Sequence, residues 1–176
     1  MSARGSCVHL GTVDRAGLPF EWVAVPSLWA AAGLLAQDAG SASDVCEVRA
    51  LSDAIAWSIA PAGGPFGAWD AVSVVQLWVQ QHVRYAADGV CEVFRSPAAL
   101  LRDGAGDCDC HARLVLSILR ALGVDGELWF FGTERDPEHV CCAAVIDGAR
   151  VWCETTLAAG LGEHPYAAFW RLGKTR

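Results

Sequence analysis

The hydrophobic period of this chain changes once, at Gly123, and that change constrains the fold class more than any other feature of the sequence. Before it, "CDCHARLVLSILRALG" (108–123) spaces its apolar residues at three- and four-residue steps, the period of a helix. After it, "ELWFFG" (127–132), "HVCCAAVI" (139–146) and "RVWCETT" (150–156) are short apolar runs with many aromatic and β-branched members, as strands have. The "IDGA" at 146–149 is a hairpin signal, because Asp-Gly tolerates the positive φ of a tight two-residue turn. A helix that feeds an antiparallel hairpin predicts an α+β fold.

Upstream the signals are mostly helical. Periodic stretches at about 46–60 and 68–86 predict helices, the first preceded by the cap-like "SASD" (41–44). The apolar segment 23–36 is too short to span a bilayer and is interrupted by Pro26, so a core helix starting near that proline is expected. "PAGGPFG" (61–67) breaks the pattern, "VCEVF" (90–94) reads as a short strand, and "SPAALLRDG" (96–104) as a capped helical turn with Pro97 in its first position. Residues 1–20 read as a glycine-bearing lead-in. The organisation expected is a helical N-terminal segment, 1–65, packed on a core of 66–176 within one compact domain.

The chemistry gathers where the central helix begins. Asp107 can cap it, and Cys108 falls in its first turn, where unpaired N–H groups and the helix dipole favour a thiolate. A reactive thiolate needs a base nearby, and the hairpin offers one. With Asp147 and Gly148 as the loop, His139 faces Thr156, Cys141 faces Glu154 and Cys142 faces Cys153. Alternation then puts His139, Cys141, Trp152 and Glu154 on one face, with Cys142 and Cys153 on the face away from the site. His139 and Glu154 become diagonal neighbours about 7–8 Å apart at the backbone, a gap a glutamate can bridge. The set Cys108, His139 and Glu154 therefore has the residue types of a cysteine nucleophile, a base and an orienting acid, with Asp107 and Trp152 as candidate walls.

Other readings compete with that one. A cysteine near a helix start is commonly a small buried hydrophobe. A zinc site could draw on Cys108, Cys110, His111, Cys141 and Cys142, but their spacings of one and no intervening residue differ from the two to four that structural zinc favours. His9, His82, His111 and His164 lack an acid-bearing hairpin, and Asp88, Glu92 and Asp103 read as solvated surface charges. No cofactor or metal is expected.

Composition bounds partners and compartment. The net charge of −7, with 13 basic residues scattered singly, argues against nucleic acid. The eight cysteines are irregularly spaced in a chain whose 53% hydrophobic content can form a core without disulfides, so they are expected as free thiols in a cytoplasm, with no membrane partner.

The ordered motifs also carry a resemblance. "QQHVRYAADG", "RSPAALL", "GDCDC", "LRALG", "EHV" and "VWCETT", spread over about residues 76–157, resemble the transglutaminase-like superfamily, and in particular its small bacterial and phage-encoded members. The resemblance implies a papain-like cysteine enzyme with Cys108 as nucleophile, His139 as base and Glu154 as orienting acid. It implies acyl transfer through a thioester on a peptide or protein substrate, with peptide or isopeptide hydrolysis first and protein crosslinking second. A role in a phage-related locus is a further implication. Two positions depart from the family pattern: its acid is usually Asp where this chain has Glu154, and Cys110 stands where a second Asp is usual. The rival from another class is a non-catalytic module that keeps the fold and binds a peptide or partner protein.

Overall fold

A computed structural model describes residues 22–25, 46–61, 63–89, 92–132, 137–163 and 170–175. The region expected as a helix from Pro26 onward lies outside the described residues, as do the lead-in, Cys7, Cys91, His9 and His164.

The helices form where the periodicity predicts, and each buries one face. Helix α1 (Cys46–Ile59) turns Val48, Ser52 and Ile55 inward at steps of four and three. Helix α2 (Ala68–His82) buries Ala71, Val72, Val75, Gln76 and Val79. The short α3 (Pro97–Asp103) starts as Ser96 and Pro97 foretell: the Ser96 hydroxyl accepts the Ala99 N–H, and Gly104 closes the helix at φ 64°. Helix α4 (Cys108–Ala121) is the centre of the molecule, buried at every residue from Cys108 to Leu119. Gly123 ends it at φ 77°, a conformation that favours glycine.

Eight strands accompany these helices among the described residues. The main sheet has the order β7-β6-β5-β8, built from β5 (Gly126–Gly132), β6 (Pro137–Ile146), β7 (Ala149–Cys153) and β8 (Trp170–Thr175), and all its pairs are antiparallel. The β6–β7 register sets Cys142 opposite Cys153, as the Asp-Gly turn requires, with Asp147 at φ 51° and Gly148 at φ 78°. Two small sheets flank α4: β1 (Trp22–Val25) pairs antiparallel with β3 (Glu92–Arg95), and β2 (Arg84–Tyr85) pairs parallel with β4 (Ala105–Gly106).

The main sheet presents two different faces. Leu128, Phe130, Val140, Cys142, Ala144, Val151 and Cys153 join the helices in one core, which also takes in Val48 and Ile55 of α1. Trp129, Phe131, Cys141 and Ala143, with Trp152 against them, form a second cluster. Cys142 and Cys153 share the face packed on α4, opposite the cluster of Cys141, Phe131 and Trp152.

One difference has a local cause. Helix α2 stops at His82 rather than near 86, because Arg84 and Ala86 donate their N–H groups to Gly104 and Gly106 carbonyls at 2.9 and 2.8 Å. That pairing holds β4 directly before α4. Gly106 has no room for a side chain: a Cβ there would lie 2.7 Å from Leu100 Cδ1 and 2.9 Å from Cys110 Cβ. The first turn of α4 is thus fixed from behind.

Candidate active site

Helix α4 presents Cys108 at its N-terminus, capped by Asp107, whose Oδ1 accepts the Cys110 N–H at 3.5 Å. Cys108 is 7% exposed and packs with Val140 of β6. Burial pushes its thiol well above the usual range, and the neighbouring Asp109, Asp107 and Glu92 charges add to that, while the Val140 backbone N–H works the other way. The sequence predicts a thiol lowered by the helix terminus; burial, the largest influence on Cys108, acts in the opposite direction.

His139 sits one residue before Val140 and is 6% exposed. Its Nε2 lies 2.8 Å from Oε2 of Glu154, which is 1% exposed and follows the last residue of β7. The second oxygen, Oε1, accepts both the backbone N–H and the hydroxyl of Thr156 at 2.7 Å each. Burial alone would raise the Glu154 carboxyl, but the His139 hydrogen bond and charge, followed by the Thr156 donors, lower it to about 2. Glu154 is ionised and fully hydrogen-bonded.

Residues from α2 and α4 hold the segment that follows. Gln80 Nε2 donates to the Glu154 and Ala159 carbonyls at 2.9 and 3.1 Å, and Gln76 Nε2 donates to Ala159 at 3.0 Å. His111, expected to be merely structural, lies fully buried one turn along α4 from Cys108, with Nδ1 3.3 Å from the Thr155 hydroxyl. Burial lowers its pKa, so it is neutral. The Tyr85 ring meets His111 edge-on at 6.5 Å. Trp152 packs edge-on against Trp129 and Phe131 at 5.7 and 5.8 Å, and Phe131 lies 6.2 Å from the His139 ring. Trp152 thus approaches the imidazole through Phe131.

The acids at the start of α4 depart from expectation. Asp88 and Glu92 are not solvated surface charges: with Asp107 they form a group whose oxygens lie within 4.8 Å of one another. Burial first, then Asp107 and Asp88, pushes the Glu92 carboxyl up to about 7. Asp107, Asp109 and Cys110 form a second such group. Asp109 is fully buried, and burial followed by Asp107 pushes its carboxyl well above the usual range. These two groups are the ones among the described residues with the ligand types and spacing to hold a cation. Cys110 Sγ donates to the Val93 carbonyl at 3.5 Å and accepts the Arg95 N–H at 3.4 Å, whereas Cys142 lies in the core with Cys153. Asp103 is exposed and pairs with Arg102.

The sequence reading missed Tyr85, Gln76, Gln80, Thr155 and His111 as neighbours of this constellation. The signal for Thr156 was present in "ETT": a threonine two residues after an acid can donate both N–H and O–H to it.

Comparison with known proteins gives the fold a context. No curated protein matches the chain. Among solved structures it is similar to the "Putative Cysteine Protease" from Cytophaga hutchinsonii, with 17% identity, a TM-score of 0.53 and coverage of 73% of this chain and 43% of the other. It is also similar to the "putative protease" from Parabacteroides distasonis, with 14% identity, a TM-score of 0.57 and coverage of 83% and 30%. The chain therefore matches less than half the length of either solved chain. At these identities the likeness is one of fold. The family model described as the transglutaminase-like superfamily matches residues 53–160, more than half of the 176, and the chain belongs to that superfamily.

Proposed function

We propose that the protein is a cysteine-dependent acyl-transfer enzyme that hydrolyses a peptide or isopeptide bond, with Cys108 as nucleophile, His139 as base and Glu154 as orienting acid. Superfamily membership supports a cysteine enzyme. The observation that carries the residue roles is the buried 2.8 Å bond from His139 Nε2 to an ionised Glu154, one residue from the Val140 N–H that faces the Cys108 thiol.

With Nε2 given to Glu154, Nδ1 is the nitrogen that exchanges protons with Cys108. It takes the thiol proton as Sγ bonds to the acyl carbon, and the imidazolium returns that proton to the amine as the carbon–nitrogen bond breaks. Water attacks the thioester carbon and gives a proton to His139; the carbon–sulfur bond breaks, the acid leaves, and the imidazolium returns the proton to Sγ. Glu154 stabilises the imidazolium throughout. The Cys108 backbone N–H, unpaired within the helix by its position in the first turn, is the first donor for the oxyanion. Burial raises the Cys108 thiol, which favours activation by this transfer over a standing thiolate. A reducing cytoplasm suits this chemistry, since it keeps a nucleophilic thiol unoxidised.

The buried, raised Cys108 thiol also favours a second reading, a peptide-binding module without turnover. Amine release from casein and from a γ-glutamyl-lysine isopeptide, compared between the wild type and Cys108→Ala, tests the choice. Release that is lost in the variant supports hydrolysis, and Cys108-dependent incorporation of dansylcadaverine supports crosslinking. Neither reaction, in protein that still binds peptide, supports the module.

A further inference from the structure

A groove beside the candidate site holds a charge that the acyl-transfer chemistry leaves unused. It has a volume of about 690 Å³ and runs between β2 and the segment after Glu154, lined among others by Gln80, Arg84, Tyr85, Thr156 and Leu157. One wall is fixed, since Gln76 and Gln80 hold the Glu154 and Ala159 carbonyls. Thr156 joins that wall to the Glu154 carboxylate, and Tyr85 joins the other to His111 of the nucleophile helix. Tyr85 and Leu157 are 49% and 42% exposed, so the groove offers apolar surface as well.

Arg84 is exposed in this groove and makes no ion pair among the described residues. Arg95, Arg102 and Arg150 each have one, with Asp88, Asp103 and Glu127 at 3.5, 3.1 and 3.0 Å. In a chain of net charge −7, acids to pair with are plentiful, yet Arg84 lines the groove with no acid paired to it among the described residues. The nearby acids Asp88, Glu92 and Asp107 gather instead at the start of α4, outside the groove lining, where they would repel an anion.

We propose that the groove is a substrate subsite for a carboxylate, with Arg84 as its specificity-determining cation. This rests on the acyl-transfer reading and names the substrate class within it: a peptide with an acidic side chain, or a free C-terminal carboxylate, near the bond that reacts. A guanidinium meets a carboxylate with two parallel N–H donors, while Tyr85 and Leu157 cover the aliphatic stem. The acidic cluster at α4 repels the same group, so the substrate carboxylate is directed to one end of the cleft.

Titration of Cys108→Ala protein, followed by NMR at the Arg84 Nε–H and the β2 amides, tests this independently of turnover. The probes are acetyl-glycyl-glutamyl amide, acetyl-glycyl-glycine with its free carboxylate, and the neutral acetyl-glycyl-glutaminyl amide. At least one acidic probe should bind about fivefold or more tighter than the neutral one, as expected for a charge-assisted pair. Which acid is preferred tells a side-chain from a terminal carboxylate. The preference should vanish in Arg84→Gln, persist in part in Arg84→Lys and shrink as salt rises. Equal affinities for all three probes, or a preference unchanged in Arg84→Gln, would overturn the subsite. A carboxylate preference that survives while Cys108-dependent amine release is absent would remove the acyl-transfer reading and leave the groove a carboxylate site.

Discussion

Glu154 reaches His139 because it stands one residue beyond the end of β7, where the chain is no longer tied to the ladder. Its extra methylene relative to aspartate spans the diagonal of the hairpin, and Thr156 fixes the oxygen that His139 does not use. Glu154→Asp should therefore lose reach and lower kcat/KM about tenfold or more, while Glu154→Gln keeps the reach and loses the charge, with a fall of about 10²–10⁴-fold. Steady-state kinetics on the amide substrate checks both, and an unchanged kcat/KM in either would remove Glu154 from its orienting role. A pH effect follows from the same residue. Its folded carboxyl, at about 2 against an ordinary 4.5, is depressed, so its stabilisation is present above pH 4.5 and is lost as pH falls towards 2. Thermal melts should show the wild type losing up to about 3 kcal/mol over that window and Glu154→Gln losing less.

At the scale of the elements, position matters as much as identity. β4 presses on the first turn of α4 through Gly106, and a methyl there would meet Cys110 Cβ, which the helix holds in place. Gly106→Ala should cost about 1–3 kcal/mol by overpacking and lower Tm by about 2–10 °C. An unchanged melt would mean that β4 does not fix the helix start. Glu92 offers the opposite sign. Its carboxyl is raised to about 7, so ionising it in the folded protein is unfavourable; the penalty is absent below pH 4.5 and grows as pH rises towards 7. Glu92→Gln should accordingly stabilise the protein by about 1 kcal/mol at pH 8, after allowance for solvent, and by almost nothing at pH 4. Denaturant melts at the two pH values check this.

For the whole molecule, what could be read in advance was local. The Asp107 and Ser96 caps, the Gly123 stop, the Asp-Gly turn and the His139–Glu154 diagonal each depend on neighbours in sequence or on one hairpin register. What escaped depends on pairings between distant segments. Arg84 and Tyr85 continue a helical pattern yet join Ala105 and Gly106 in a strand pair, and that pairing puts them at a groove. β8 lies beside β5, some forty residues away in sequence, with nothing local to announce it. Asp88 and Glu92 look like surface charges until the fold brings Asp107 against them, and the burial that raises the Cys108 thiol is likewise a product of the whole fold.

The account rests on His139 drawing the proton from Cys108, and site-resolved alkylation measures that directly. Wild type and His139→Ala are treated with iodoacetamide at pH 7, and each thiol is quantified by peptide mapping, with exposed Cys46 as internal control. Cys108 should react about tenfold or more faster than Cys110, which is buried against β3, and that advantage should be lost in His139→Ala with Cys46 unchanged. Equal, slow labelling of Cys108 and Cys110 in both proteins would contradict the account and leave the fold as a binding module.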